Sequence, residues 1–418
     1  MRSLPVFLFV LAFAVAPAAH AQLLDTTSSG ALQLLQDVQA IEEDVITVEP
    51  LAATPTVNWV DVARLIDTYR IHEKVADLRG VTVDPSGKNV GFYFSSGLKG
   101  SFSVYRNGRR MQHGVNESLY DMHEPVVFRM TASGDLVYDL HGTDLYVNST
   151  SVSKGLYSFS QGATSVHEHG GVLTFPEGGN VVSYDIGRNK RTILYKHQGA
   201  VRYIRRAGDK IAYTVFERGF TRMYRNGRLV SGKGVENDHN FAISKEGDVY
   251  FFTKSARGYA LYRNSRSYVT GRGAGAFVDI DQDGRVWHLS YLRAPGRTLV
   301  RLQRDRSPID LLPAGVANVE LLLGFNDRGY AMRASFEEDP AAFYLVQNGE
   351  SFGESFMFEY PYNDGRGFQF ESGEAIYRAY DGTRWTAYAD GEPLRHASLK
   401  KVWFMRVKNG EVTVYATK

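Results

Sequence analysis

The chain has 418 residues and a mass of 46.8 kDa, with 43% hydrophobic, 22% charged and 13% aromatic residues, 41 Gly and 13 Pro. That balance is globular and excludes a wholly disordered, collagen-like or polytopic membrane chain. Lys+Arg 48 against Asp+Glu 46 leaves no basic field for a phosphate backbone, which excludes nucleic acid as a partner, and the absence of cysteine excludes a disulfide scaffold, a thiol nucleophile and a cysteine-bound zinc.

Residues 1–21 read MRSLPVFLFVLAFAVAPAAHA. Arg2 supplies a positive end, Leu4 to Val15 an apolar run, and Ala19 and Ala21 small residues on either side of His20. This is the pattern of a secretory signal peptide cleaved after Ala21. The run is short for a hydrocarbon core of about 30 Å, and no second long apolar stretch follows. The expectation is a secreted or periplasmic protein whose mature chain has no transmembrane segment.

Residues 22–80 read as an N-terminal extension with one or two helices. Ala31 to Glu43 carries Leu34, Leu35, Val38 and Ile41 on one side. The stretch ITVEPLAATPTV that follows looks extended and loop-like. Asn58 is placed to cap a second helix running to about Leu78, with Val62, Leu65, Ile66 and Tyr69 as its apolar stripe. That stripe must be covered, either by the body that follows or by a partner protein.

From residue 81 to 418 the texture changes to short apolar strands separated by Gly, Asp, Asn and Ser turns. A hairpin pattern recurs, as in VTVDPSGKNVGFYF from Val81, VVFRMTASGDLVYDL from Val126, VRYIRRAGDKIAYTV from Val201, FAISKEGDVYFF from Phe241 and FVDIDQDGRVWHL from Phe277. A second phrase follows each hairpin, an aromatic or apolar strand ending in Asn-Gly or a relative of it. Its Asn or Asp falls at Asn107, Asn148, Asn226, Asn264, Asn348 and Asp390, with divergent copies near Asp185 and Asp305. The period is about 40 residues. Asn-Gly favours the left-handed two-residue turn of an antiparallel hairpin. Four short strands make a small sheet that is unstable alone, and stacking such sheets radially buries both faces. The fold class is therefore all-β: a β-propeller of four-stranded antiparallel blades, eight preferred and seven the alternative, preceded by the short helical segment. A final hairpin from Val402 has no following pair, and ring closure places it in a blade with an N-terminal strand, for which DVITVEP is a candidate.

Asp84-Pro85-Ser86-Gly87-Lys88, followed by Asn89-Val90-Gly91-Phe92, resembles the D-P-x-G-K turn of WD40-like, TolB-type bacterial propeller repeats. Ser244 to Tyr250 and Asp281 to Trp287 are looser versions. The resemblance covers about residues 81–418 and implies a propeller fold and, for this broad group, exported binding or assembly modules.

In a propeller the loops leading into the innermost strands surround the mouth of a central channel, a default place for a ligand. Glu124, Asp238, His239 and Glu354 are the ligand-binding candidates on these grounds. Asp279, Asp281 and Asp283 with Gly284 spell D-x-D-x-D-G, in which alternate carboxylates wrap calcium. The twelfth position is Ser290 and the ninth Trp287, so the acidic end of the loop is missing, and a plain turn explains the same residues. His167 and His169 share one face of a strand and are candidate metal ligands, with no third ligand evident. Tyr105, Tyr146, Tyr224 and Tyr262 recur at one repeat position, which favours packing. Arg106, Arg225 and Arg263 beside them should point to the opposite sheet face, as a ladder of surface ion pairs or as anion binders. Gly271-Arg272-Gly273-Ala274-Gly275 reads as a link between strands. No G-x-S-x-G, H-E-x-x-H or G-x-x-x-x-G-K-[ST] motif occurs. No catalytic residue is assigned, and no cofactor is expected beyond the possible calcium.

These readings favour an exported, non-catalytic module that binds a protein or a glycan at one end of the propeller. The first alternative is a glycan hydrolase or lyase with carboxylates at the channel mouth. The second is a structural protein docking through the helix of residues 58–78.

Overall fold

The computed structural model describes residues 56–96, 101–115, 127–140, 144–154, 166–231, 234–236, 238–255, 258–294, 297–309, 315–326, 329–336, 338–348, 350–352, 357–358, 368–371, 374–380, 385–389, 392–394, 400–408 and 411–417. All of these belong to one compact unit, Val45–Lys418. The leader, the helix expected at residues 31–43 and the DVITVEP stretch lie outside the described residues.

The chain forms a β-propeller, and its described residues make eight sheets, seven four-stranded and one eight-stranded. Blade I comprises Leu78–Val83, Val90–Ser96, Ser101–Arg106 and Arg109–Val115. Blade II comprises Phe128–Met130, Leu136–Leu140, Asp144–Val147 and Thr150–Lys154; blade III, His167–His169, Val172–Glu177, Asn180–Asp185 and Lys190–Lys196. Blade IV comprises Ala200–Ala207, Lys210–Glu217, Phe220–Arg225 and Arg228–Leu229; blade V, Phe241–Ile243, Val249–Ser255, Gly258–Arg263 and Arg266–Gly271. Blade VI comprises Ala274–Ile280, Val286–Ala294, Arg297–Arg304 and Ser307–Pro308; blade VII, Val316–Asn326, Gly329–Phe336, Asp339–Gln347 and Glu350–Phe352. Within each blade, consecutive strands pair antiparallel from first to fourth.

The second strands are buried almost end to end, as in Leu136–Leu140 and at Ile211 to Val215 of Lys210–Glu217. Neighbouring blades cover both of their faces, which is why the sequence shows apolar runs there rather than strict alternation. The fourth strand of blade III, Lys190–Lys196, is exposed along nearly its whole length. The recurring tyrosines pack as expected. Tyr146, Tyr224, Tyr262 and Tyr388 each stack on a directly opposite ring of the second strand: Tyr138 at 5.4 Å, Tyr213 at 5.6 Å, Phe251 at 5.8 Å and Tyr377 at 5.2 Å.

The Asn of the repeat phrase does more than turn the chain. Asn226 has φ 46°, and its Oδ1 accepts the N–H of Ile211 at 2.9 Å while its own N–H donates to the Ile211 carbonyl at 2.9 Å. The same two-way clamp joins Asn107 to Val90, Asn148 to Leu136, Asn264 to Val249 and Asn348 to Tyr330, and Asp305 takes the part in blade VI with Val286. Each clamp ties the third–fourth turn to the start of the second strand. The following Gly227 has φ 78°, and a Cβ there would lie 2.8 Å from the Tyr195 ring, so both conformation and space demand glycine. Arg106 reaches the next blade, donating to Asp135 at 3.2 Å and to Asn148 at 3.1 Å. Arg225 likewise reaches the Gly247 carbonyl and Asn264. Arg263 stays in its own blade, on Asp248. Of the three, only Arg106 makes an ion pair between blades; Arg225 crosses by neutral acceptors and Arg263 pairs within its blade, so the expected ladder of ion pairs is not continuous among them. The propeller thus has a turn end, held by these bonds, and opposite it a loop end, where the second strands finish and the first strands begin.

The eighth sheet closes the ring. It holds blade VIII, with Phe368–Glu371, Glu374–Tyr380, Trp385–Ala389 and Glu392–Pro393, together with Met357–Phe358. A single parallel pair, Trp385 with Lys401, joins these to the closing hairpin Lys401–Lys408 and Glu411–Thr417. The last strand pairs in parallel with Thr56–Asp61, so the final hairpin does sit with an N-terminal strand. The expected helix cap at Asn58 is thereby corrected. Asn58 lies within the strand, opposite Thr413. The helix is Val62–Thr68, capped by Asp61, whose carboxylate accepts the Ala63 N–H at 3.0 Å. Pairing with a distant strand overrides the local helical spacing. The stripe is covered by the chain itself: Val62 and Ile66 are buried, with Leu65 and Tyr69 packed on the cluster that holds Val81, Phe92, Trp403, Phe404 and Tyr415. That removes the premise of docking through an exposed helix. Among the described residues no helix is long and apolar enough to cross a membrane.

Candidate functional site

Two of the four ligand candidates, Asp238 and His239, are described, and the structure brings them together at the loop end of blades IV and V. Glu124 and Glu354 lie outside the described residues. The loop leading into blade V is pinned by backbone bonds, Val235 N–H to the Thr221 carbonyl and Glu236 N–H to the Phe252 carbonyl, both at 2.9 Å. Asn240 extends its side-chain amide to the Ala276 carbonyl of the next blade. The loop is thus held between blades IV, V and VI, and Asp238 and His239 project from a fixed frame.

Arg202, on the first strand of blade IV, donates to Asp238 at 2.8 Å and lies 4.2 Å above the Phe216 ring. The imidazole of His239 is tilted against Tyr203 at 5.7 Å, with Nδ1 3.9 Å from Asp238. Burial pushes the Asp238 carboxyl up, but His239 and Arg202 outweigh it and hold it below the usual carboxylate range. Asp238 is therefore an anchored anion, unsuited to act as a general acid at neutral pH. Beside this pair, Phe216 is 38% and Phe220 61% exposed. They flank the turn Arg218-Gly219, both at positive φ, and the lead-in loop passes Phe220 at Gly234. The result is a half-buried ion pair with an exposed imidazole and two phenyl rings on a rigid frame.

Sequence reading missed Arg202, Phe216 and Phe220. The available signal was FERGF at residues 216–220, which sets two large apolar rings on either side of a turn.

The metal candidates form two separate groups, Asp279, Asp281 and Asp283 in blade VI and His167 and His169 in blade III. Asp281 is a turn residue: its Oδ1 accepts the N–H groups of Asp283 and Arg285, and its Oδ2 accepts the Trp287 indole N–H at 2.9 Å. Asp283 is exposed, and Asp279 pairs with Arg205 at 3.5 Å. His167 meets the Ile204 carbonyl of the next blade through Nε2. Among the described residues no three His, Asp or Glu side chains gather as metal ligands. The turn reading of D-x-D-x-D-G thus accounts for the bonds that Asp281 makes.

No protein-family model matches the sequence, and no curated protein sequence matches it. The fold is similar to those of solved propellers. The Dos1 propeller is 8% identical, over 78% of this chain and 94% of that one, with a TM-score of 0.42. BamB from Moraxella catarrhalis is 13% identical, over 68% and 91%, with a TM-score of 0.38. Porphyromonas gingivalis dipeptidyl peptidase 4 is 12% identical, over 86% and 57%, with a TM-score of 0.41. At such identities the likeness concerns the β-propeller fold alone.

Proposed function

We propose that the chain is an exported, non-catalytic binding module that holds a protein or a glycan at the loop end of its propeller, over blades IV and V. The observation that carries this reading is the exposure of Phe220 and Phe216 beside the Arg202–Asp238 pair and His239. Phenyl rings left in water next to directional polar groups on a rigid frame supply contact area with little ordering cost. Export rests on the leader-like residues 1–21.

The test is a glycan array and an envelope-protein pull-down with wild type, Phe220→Ser, Asp238→Ala and the distant control Arg228→Gln. A saturable ligand is expected for wild type and control, lost in Phe220→Ser and weakened at least about tenfold in Asp238→Ala. No saturable ligand, or one indifferent to both loop-end changes, overturns the reading. Mass spectrometry of the protein expressed with its leader should find Gln22 first; an intact Met1 would remove the export part.

A further inference from the structure

The first strands line the channel, and register places their residues at comparable depths. One level is fixed by the residue that pairs, through the second strand, with the residue just before the third–fourth turn. In blade IV this is Arg205, opposite Ala212, which in turn faces Arg225. The same count gives Arg129 in blade II through Val137, and His169 in blade III through Val172. It gives Ala242 in blade V through Tyr250, and Asp279 in blade VI through Trp287. The positions of blades I, VII and VIII are uncharged: Thr82, Gly324 and Gln369.

Arg205 and Asp279 belong to first strands separated by that of blade V, yet their side chains meet at 3.5 Å. They can do so only on the channel side of blade V, and the small Ala242 between them leaves the room. This contact shows that Arg205 and Asp279 reach to the channel side at this level. Arg129 approaches the next blade as well, donating to the Val166 carbonyl at 2.7 Å, and His169 is exposed. Three adjacent blades therefore present Arg129, His169 and Arg205 at one depth, near the turn end, and among the described residues Asp279 is the only acidic one that the register places there in blades I–VIII. Asp279 engages Arg205 at the end of the arc away from Arg129.

We propose that this arc is an oxyanion site inside the channel, taking a carboxylate or phosphate group, with Arg205 shared between the ligand and Asp279. Guanidinium groups suit such anions because their planar donors match two oxygens at once. The site lies at the opposite end from Asp238 and goes beyond the loop-end reading. Asp279 competes with the ligand for Arg205, so the proposal sets opposite signs for two neighbouring changes.

The experiment is isothermal titration of the full mature chain with citrate and with inorganic phosphate, chloride holding the ionic strength constant. Saturable binding of at least one anion is expected, and the tighter of the two identifies the carboxylate or the phosphate source. Arg205→Gln should weaken it at least about tenfold, and Asp279→Asn should tighten it about threefold or more. Arg228→Gln and Phe220→Ser should leave it unchanged, which separates this site from the loop end. Should Arg205→Gln fail to fold, Arg129→Gln and Asp279→Asn carry the same test. Absence of saturation by both anions, indifference to the arginine changes, or weaker binding in Asp279→Asn overturns the proposal.

Discussion

The two ends of the propeller are built on different rules. At the turn end the same bonds recur blade after blade: an Asn or Asp clamps the second strand, and Arg106 and Arg225 reach forward to the next blade. At the loop end of blades IV and V the described residues follow no repeat. Arg202, Asp238, His239, Phe216 and Phe220 each occur there once, and two of them leave phenyl surface in water. Repetition follows from a structural need that every blade shares. A binding surface needs differences between blades, which is why the proposed site is set where the repeat is silent. The comparison can be broken by changes that separate stability from recognition.

The largest effect should come from undoing closure, on which both ends depend. A chain lacking residues 1–68 loses the parallel strand Thr56–Asp61 and the helix that buries Val62 and Ile66. Each of those two side chains contributes about 1.5–3 kcal/mol by burial, and the open edge of Glu411–Thr417 adds a pairing hazard. The loss should reach at least about 5 kcal/mol, comparable to the whole stability of many domains. Calorimetry should show no cooperative transition. A transition within a few degrees of wild type would mean that the ring closes without this strand.

A second effect is tied to pH. His288, on the second strand of blade VI, is fully buried, its Nε2 2.9 Å from the Gln303 Oε1. Burial lowers its pKa from 6.5 to about 4, despite the opposing pull of Gln303 and Asp305. The unfolded chain therefore binds a proton more readily between these values. Stability is complete above about pH 6.5 and falls as pH drops toward 4, by up to about 3 kcal/mol. Urea unfolding at pH 7 and pH 4.5 should show that loss in wild type, and His288→Asn should flatten it. An equal acid loss in both proteins would assign the effect to other groups.

A third change tests the clamp itself. Asn226→Ala removes the acceptor of the Ile211 N–H and puts Ala at φ 46°, for a cost of about 2 kcal/mol. Asn226→Gly relieves only the backbone part. Asn226→Asp should come within about 0.5 kcal/mol of wild type, since Asp305 already performs the clamp in blade VI. Denaturation midpoints should rank Asp above Gly above Ala; equal losses in all three would make the turn's conformation irrelevant.

What the sequence revealed follows the same division. Turn chemistry is local, so the Asn-Gly positions exposed the repeat, the hairpins and the packing tyrosines. The clamp's second half and the forward reach of Arg106 link residues in different strands or blades, and only the ring's geometry pairs them. Asn58 misled because TVNWVDVARLI supports both spacings, and parallel pairing with residues 411–416 decides between them. That Asp238 and His239 stand just ahead of a first strand was legible from the repeat. Their partner Arg202 was not, since an arginine inside VRYIRRAG has no local mark that sets it apart from Arg205 or Arg206.

The smallest stability effect should fall on Phe220, the residue to which the proposed function assigns the largest part in recognition. Phe220 is 61% exposed and sits at the edge of a strand whose backbone bonds do not involve its ring. Replacing it by Ser removes little buried surface, so the unfolding midpoint should move by less than about 0.5 kcal/mol in free energy. Under the proposed function, the same change should abolish binding at the loop end. A polar side chain at this place would be at least as stable and more soluble, so selection for folding alone gives no reason for a phenyl ring in water. If Phe220→Ser instead destabilises as much as Asn226→Ala, the ring is part of the core and the contrast between the two ends fails at its sharpest point.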